Sequence, residues 1–136
     1  MIFVNNEFQG KKALIADDFL VNQEMMEEML QLLGFSVDTA DDGGEAIQLW
    51  QENTYDIIFM DIQMPVKNGY EVTKYIREQE KNLSKRTLIL ALTANAQAGD
   101  REKCIESGMD GYISKPIEIK QLRNKVLEIF NLNSKP

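Results

Sequence analysis

The chain contains no histidine, and this absence excludes several kinds of chemistry at once. Without an imidazole there is no Ser-His-Asp or Cys-His catalysis, no His-ligated zinc and no phosphohistidine on this chain. Cysteine occurs once, as Cys104, so no internal disulfide can form and an oxidising compartment is not indicated. Functions based on histidine or on an internal disulfide are therefore excluded for these 136 residues.

Long apolar runs and basic character are absent as well. Met1 to Lys12 has no apolar segment of signal-peptide length, and no later run approaches the length of a membrane span. The formal net charge of −7 disfavours direct contact with nucleic-acid backbones and anionic membranes. We therefore expect a cytoplasmic domain with no nucleic-acid partner and no direct membrane contact.

The sequence has the length of one ordinary domain with a buried core. Five short apolar segments alternate with five amphipathic ones, and strands are predicted at residues 13–16, 35–40, 55–60, 88–92 and 111–113. The first, third and fourth of these are almost continuously apolar, which is typical of parallel strands covered on both faces.

Apolar residues recur at helical spacing in the segments that follow the strands. The first helix is indicated by Val21, Met25, Met29 and Leu32, with Met26, Leu30 and Leu33 beside them and Gly34 ending it. The other helices are indicated by Ala46, Leu49 and Trp50, by Val72, Tyr75 and Ile76, by the weaker stretch 97–107 with Ala98 and Ile105, and by Leu122, Val126 and Ile129. We expect the methionines of the first helix, Trp50 and Cys104 to fill the core. Repeated strand–helix alternation predicts a doubly wound α/β fold with helices on both faces of the sheet.

Polar side chains occur where the predicted strands end. Asp17 and Asp18 follow the first strand, Asp61 the third, Thr93 the fourth, and Lys115 lies just after the fifth. Ligands of open α/β sheets bind at this carboxyl edge, near the point where the strand order reverses. Each residue alone could be a helix cap or a surface group, but together they favour a functional site.

A flavodoxin-like strand order of 2-1-3-4-5 would make the first and third strands of a five-stranded parallel sheet neighbours, about 4.8 Å apart. Asp18 and Asp61 would then face each other, and carboxylates about 5 Å apart repel by roughly 3 kcal/mol at an effective dielectric constant near 20. A divalent cation removes this repulsion, and oxygen ligands with room for water suit Mg²⁺. Lys115, two strands away, would need its long stem to return to Asp61.

In this order the motifs resemble the receiver domain of response regulators in two-component and phosphorelay signalling. The resemblance is carried by Ala16-Asp17-Asp18, Met60-Asp61-Ile62-Gln63-Met64-Pro65 with Gly69, Leu92-Thr93-Ala94 and Tyr112-Ile113-Ser114-Lys115-Pro116. The stretch Leu92–Ala96, with residues 99–101 and 108–112, is most similar to receivers of hybrid sensor histidine kinases. We expect a lead-in at residues 1–10, the receiver domain at 11–131 and a tail at 132–136.

The resemblance implies a phosphoacceptor signalling domain that catalyses only its own phosphorylation and dephosphorylation. Asp61 would accept the phosphoryl group, whose oxygens would bind Lys115, Thr93 and the backbone N–H of Ala94. The resemblance also implies a bound Mg²⁺, for which Mn²⁺ could substitute.

The implied metal ligands are Asp18, Asp61 and the backbone carbonyl of Gln63, with Asp17 acting through a metal-bound water. The implied phosphodonor is a histidine kinase or a histidine phosphotransfer domain. A downstream protein would bind the face of the fourth helix, fifth strand and fifth helix. On that face, Tyr112 is either a switch residue whose ring moves inward when Thr93 moves, or an ordinary half-buried aromatic of the strand. The chain could stand alone or be the cytoplasmic part of a membrane-bound hybrid kinase.

Three rival interpretations start from the same residues. A haloacid-dehalogenase-type phosphatase would need a second acid where Gln63 stands and a cap region for which the chain is too short. A flavodoxin-like ligand-binding domain would need a phosphate-cradling loop after the first strand, where Asp17 and Asp18 would repel a phosphate. A degenerate receiver acting only as an interaction module would be expected to lack an acid or the lysine, and this chain has them all. A receiver that only relays the phosphoryl group stays open as an alternative.

Overall fold

The computed structural model describes residues 8–62, 64, 67–94 and 98–134. Within them, the strands are β1 (Lys12–Ala16), β2 (Ser36–Ala40), β3 (Ile57–Asp61), β4 (Leu88–Thr93) and β5 (Gly111–Ser114). The helices are α1 (Leu20–Leu32), α2 (Gly43–Glu52), α3 (Gly69–Glu80), α4 (Ala98–Ser107) and α5 (Ile119–Ser134). Each predicted strand and helix has a counterpart, and the strict alternation is confirmed.

The strands form one parallel sheet in the order β2-β1-β3-β4-β5, which confirms the predicted order. β1 lies between β2 and β3, so the direction of winding reverses at β1 and β3. Asp61 at the end of β3 is in register with Leu92, and Thr93 at the end of β4 is in register with Ser114. The carboxyl ends of these strands therefore lie side by side at one edge.

Helices cover both faces of the sheet, and each face has its own apolar core. One core joins the sheet to α1 and α5 and includes Met26, Leu30, Phe59, Leu122 and Val126. The other joins it to α2, α3 and α4 and includes Trp50, Met60, Ile76, Ala91 and Cys104. Trp50 and Cys104 are thus core residues, as predicted. Burial of each large side chain contributes about 1.5–3 kcal/mol, which fixes the helices against the sheet.

The expectation that the methionines of α1 fill the core was wrong for Met25, and the stripe that contains Val21, Met25 and Leu32 faces outward. Val21 and Met25 are exposed by 52% and 54%, and Leu32 is also exposed. The buried stripe is instead the adjacent one, which contains Met26 and Leu30. A helix packed on a sheet can bury only one stripe, and α1 carries apolar residues on more than that stripe. Its outer apolar residues therefore remain at the surface.

One boundary and one buried face also differ from the prediction. β3 begins at Ile57, and Tyr55 lies before it as a buried side chain whose hydroxyl donates a hydrogen bond to Asp38 Oδ2 at 2.7 Å. In α4, Ile105 is 65% exposed while its neighbour Cys104 is buried, so Ile105 does not mark the inward face as predicted. Single apolar residues on a polar helix are weak markers of its buried side.

Candidate phosphoacceptor site

The site is built where β1, β3, β4 and β5 end. Asp17 immediately follows β1, Asp61 is the last residue of β3, Thr93 is the last residue of β4, and Lys115 immediately follows β5. The sheet order places β1 and β4 on either side of β3, so Asp61 is central. The structure thus brings the predicted acids, hydroxyl and lysine to one edge of the sheet.

Asp17, Asp18 and Asp61 form a carboxylate cluster in which one oxygen from each residue lies within 4.8 Å of the others. Asp17 and Asp61 are buried, at 0% and 6% exposure, whereas Asp18 is exposed. Burying two carboxylates beside a third raises their mutual repulsion, because the interior screens charge less than water does. Such a cluster needs compensating positive charge.

Lys115 supplies part of that charge. Its ammonium Nζ lies 3.6 Å from Asp17 Oδ2 and 3.9 Å from Asp61 Oδ2. Its backbone N–H donates to the Thr93 carbonyl at 2.8 Å, which fixes the start of the loop after β5. One ammonium facing three carboxylates leaves an excess of negative charge at the site.

The carboxylate cluster fits a hard divalent cation such as Mg²⁺. Asp17 Oδ2 is buried and has no hydrogen-bond partner among the described residues, with Lys115 Nζ just beyond hydrogen-bond distance. An orphaned buried carboxylate oxygen costs free energy unless a cation or water engages it. Oxygen-only ligands close together are the donor set that Mg²⁺ prefers. The predicted Gln63 carbonyl lies outside the described residues.

Comparison with known proteins identifies the family. The model of the response regulator receiver domain matches residues 13–127, which is most of the chain. The chain belongs to the response regulator receiver domain family. It is therefore a receiver domain of two-component and phosphorelay signalling, as the resemblance of its motifs predicts.

Individual relatives show which receiver domains this chain is similar to. It is 43% identical over 117 residues to hybrid signal transduction histidine kinase I of Dictyostelium discoideum, covering 82% of this chain and 7% of that kinase. The receiver domain of sensor histidine kinase PA1611 from Pseudomonas aeruginosa, solved with magnesium coordinated in its active-site cleft, is 38% identical. The alignment with it has a TM-score of 0.81 and covers 90% of this chain and 98% of that one.

A third relative is the receiver domain of Ssk1 from Saccharomyces cerevisiae, solved together with the histidine phosphotransfer protein Ypd1. It is 32% identical, with a TM-score of 0.84 and coverage of 94% of each chain. Across the kinases compared, the chain spans only 5–14% of their length, so it corresponds to one region of such proteins.

Among the described residues, no helix is long and apolar enough to cross a membrane.

Gln23 is a structural residue of the receiver site that the sequence interpretation missed. Its side chain is buried on α1, and its amide donates to the Ala40 carbonyl at 3.2 Å and to Asp41 Oδ1 at 2.8 Å. It also donates to the Asp17 carbonyl. These bonds tie the ends of β1 and β2 to α1. Its position in the buried stripe, three residues before Met26, was the available signal.

Gly69 is packed directly against the backbone that carries Asp61. A Cβ atom at Gly69 would lie 2.6 Å from the Asp61 carbonyl oxygen and 2.9 Å from Ile62 Cα. The Gly69 N–H donates to the Ile62 carbonyl at 3.3 Å, and α3 begins here with Asn68 as its cap. The glycine of the receiver motif therefore allows α3 to start close to the end of β3.

The remaining predicted residues lie beside the cluster or on the next strand. Thr93 is buried and is followed by exposed Ala94. Tyr112 is half-buried on β5, where it is in register with Ala91. Successive side chains of a strand point to opposite faces, so Ala91 and Thr93 share one face of the sheet, and Tyr112 lies on that same face. Thr93 and Tyr112 are therefore diagonal neighbours across β4 and β5.

An apolar groove of about 340 Å³ adjoins the receiver site between α1 and the loop after β5. Met25, Met29, Pro116 and Ile117 line it, together with Asp17 and Lys115 of the site. Phe19, Leu20 and Val21 are also exposed at the start of α1. The exposed apolar residues of α1 thus form a surface that directly adjoins the carboxylate cluster.

Proposed function

We propose that Asp61 is the phosphoacceptor of this receiver and that its phosphorylation requires Mg²⁺. The observation that carries the proposal is the cluster of three carboxylates with one lysine around the end of β3, with Asp61 central. A purely structural role would not place Asp17 and Asp61 together in a buried position with a single ammonium between them. The relatives support the same role, since one of them holds magnesium in its cleft.

In the proposed reaction, an Asp61 carboxylate oxygen attacks phosphorus in line with the leaving group. With a phosphohistidine donor, the O–P bond to Asp61 forms as the P–N bond breaks, and the electron pair returns to the donor imidazole. Catalysis rests on positioning and charge neutralisation. Lys115 is placed to pair with a phosphoryl oxygen, because its ammonium already lies near Asp61 Oδ2.

Two further groups at the end of β4 would bind the transferred phosphoryl group. The Thr93 hydroxyl and the backbone N–H of Ala94 are the proposed donors, and the small Ala94 side chain leaves room beside them. Asp18, Asp61 and the Gln63 carbonyl would hold Mg²⁺, or Mn²⁺ in its place, with Asp17 acting through water. The bound cation would supply Lewis-acid neutralisation of charge on the phosphoryl oxygens.

The phosphodonor protein is proposed to dock on the apolar surface of α1. A donor histidine must approach the open carboxyl edge of the sheet, and the exposed Phe19, Leu20 and Met25 lie next to it. The groove beside them includes Asp17 and Lys115, so a protein seated there reaches the acceptor. Contiguous exposed apolar side chains are typical of protein interfaces. A histidine kinase or a histidine phosphotransfer domain is the proposed donor, and the Ssk1 receiver with Ypd1 supports this class.

Output is proposed to leave through the face formed by α4, β5 and α5. Phosphate on Asp61 adds nearly two negative charges within reach of Thr93, and movement of Thr93 would make room for the Tyr112 ring. The exposed Ile105 on α4 gives this face an apolar contact for a downstream protein. The domain would act in the cytoplasm as a signalling element that catalyses only its own phosphorylation and dephosphorylation.

The proposal is tested by intact mass after incubation with acetyl phosphate and Mg²⁺. Wild-type protein should gain one phosphate that hydroxylamine removes, because acyl phosphates react with hydroxylamine and phosphoserine does not. Asp61→Asn should gain none. Asp56→Asn is the matched control, since Asp56 is exposed before β3 at the opposite edge of the sheet, and it should be labelled like wild type. Equal labelling of Asp61→Asn would refute the assignment.

A further inference from the structure

Tyr112 is contacted by a cation from each of the two helices that flank β5. Arg101 of α4 donates a hydrogen bond from NH2 to the Tyr112 hydroxyl at 2.6 Å, and its Cζ lies 5.4 Å from the ring centroid. Lys125 of α5 places Nζ 5.9 Å from the same centroid. Arg101 therefore makes both a charge-assisted hydrogen bond and a cation–π interaction with Tyr112. Together these contacts fix the position of the Tyr112 hydroxyl.

This contact holds the Tyr112 hydroxyl at the surface of the domain. Arg101 is exposed on α4, and Tyr112 itself is only half-buried. Tyr112 is in register with Ala91, two residues before Thr93 on the same face of the sheet. Movement of the ring towards Thr93 would carry the hydroxyl away from the position at which the Arg101 guanidinium binds it.

We propose that Arg101 is a positioning residue that holds Tyr112 in its outward position and so opposes the phosphorylated form of the domain. This inference rests on the proposed function, because it requires that phosphate at Asp61 draws Tyr112 inward through Thr93. A contact that exists in only one of two forms stabilises that form. By linkage, the same contact must weaken the binding of any ligand that prefers the other form.

The size of the effect follows from the exposure of the contact. Cation–π pairs at exposed sites contribute about 0.5–1 kcal/mol, which corresponds to a change of about two- to fivefold in an equilibrium constant. Loss of the Arg101 contact should therefore tighten the binding of a phosphoryl mimic by about two- to fivefold. Simple electrostatics predicts the opposite sign, since removing a positive charge disfavours an anionic ligand.

The test is an NMR titration of the Mg²⁺-loaded protein with beryllofluoride, comparing wild type with Arg101→Gln. The variant should bind beryllofluoride about two- to fivefold more tightly. Before any beryllofluoride is added, its amide signals in α4, β5 and α5 should already be displaced towards their positions in the bound form. The matched control is Lys103→Gln, which removes the same charge from an exposed position on the same helix. It should bind beryllofluoride like wild type or more weakly.

A double variant makes the test specific for Tyr112. In a Tyr112→Ala background, Arg101→Gln should no longer tighten binding, because the restrained ring is gone. Binding of Arg101→Gln that equals wild type or Lys103→Gln would overturn the proposal, and so would an equal gain in the Tyr112→Ala background. Failure of wild type itself to bind beryllofluoride would refute the proposed phosphoacceptor function, and the role of Arg101 with it.

Discussion

Lys115 Nζ lies 3.9 Å from Asp61 Oδ2 although β4 separates β5 from β3. The long side chain crosses the end of β4 and returns to the centre of the site, where its ammonium also faces Asp17. A phosphoryl group on Asp61 would enter the region between these groups. The pair therefore links Asp61, the proposed acceptor, to the strand that carries Tyr112, the proposed switch residue.

Replacing Lys115 should impair phosphoryl transfer more than it impairs folding. Lys115→Met keeps the length of the stem but removes the charge that would pair with a phosphoryl oxygen, and loss of one such group costs about 100-fold or more in rate. Initial rates of labelling by acetyl phosphate, read by intact mass, measure this. Lys120→Met, at an exposed position on α5, should keep the wild-type rate. Equal rates for the two variants would contradict the proposed role.

Gly69 should not tolerate a side chain. In Gly69→Ala the added Cβ meets the Asp61 carbonyl oxygen at 2.6 Å, so either α3 or the end of β3 must shift. Overpacking of this kind costs typically about 1–3 kcal/mol. Urea unfolding should show this loss of stability, and labelling of Asp61 should be slower in the variant.

The matched control for that substitution is Gly44→Ala in the first turn of α2. Its nearest contact would be Asp42 Oδ1 at 3.4 Å, an ordinary van der Waals distance. Alanine is favoured over glycine in helices, so this variant should be unchanged or more stable by up to about 1 kcal/mol. A Gly69→Ala protein as stable and as reactive as Gly44→Ala would show that the close approach is not needed.

The receiver should be stabilised by Mg²⁺ through the carboxylate cluster. Binding to the folded state alone raises its stability, by about 1.4 kcal/mol at ten times the dissociation constant. The melting temperature of wild type should rise with Mg²⁺, whereas Asp18→Asn should respond little. Without Mg²⁺, Asp18→Asn should melt higher than wild type, because repulsion in the cluster is relieved.

Glu28→Gln is the control for the removal of one acidic charge, since Glu28 is exposed on α1. It should keep the full Mg²⁺ response. If Asp18→Asn and Glu28→Gln respond to Mg²⁺ alike, the cluster is not the binding site.

Tyr55 should make stability depend on pH in the alkaline range. Burial, reinforced by the hydrogen bond to Asp38, raises the pKa of Tyr55 above its usual value of about 10. The folded state then keeps this proton at pH values where the unfolded chain loses it, so stability falls as the pH rises above about 10. Tyr55→Phe should be less stable at neutral pH but should lose stability less steeply above pH 10. Urea unfolding from pH 8 to 11 measures both slopes, and parallel slopes would contradict this account.

The alternation of strands and helices and the place of the acids could be predicted because they depend on strong, local signals, whereas the strand order was taken from the known flavodoxin-like arrangement of such sheets. Continuous apolar segments mark buried parallel strands, and the carboxyl ends of such strands share one edge. Asp17, Asp61, Thr93 and Lys115 follow from this rule without any knowledge of side-chain packing.

Features that depend on tertiary packing could not be predicted from the sequence. Met25 and Met26 are both good core residues, and only the orientation of α1 on the sheet decides that Met26 is buried while Met25 is exposed. The contact between Arg101 and Tyr112 depends on how α4 lies against β5, and an arginine on a polar helix has no distinguishing pattern. The three hydrogen bonds of Gln23 likewise join segments that are distant in sequence.

The central claim is that Asp61 carries the phosphate, and chemical trapping tests it most directly. Borohydride reduces an aspartyl phosphate to homoserine, which peptide mass spectrometry locates to a single residue. After treatment with acetyl phosphate and Mg²⁺, wild-type protein should contain homoserine at position 61 and unmodified aspartate at positions 17 and 18. Homoserine at Asp17 or Asp18, or at no position in a protein that has gained phosphate, would contradict the account.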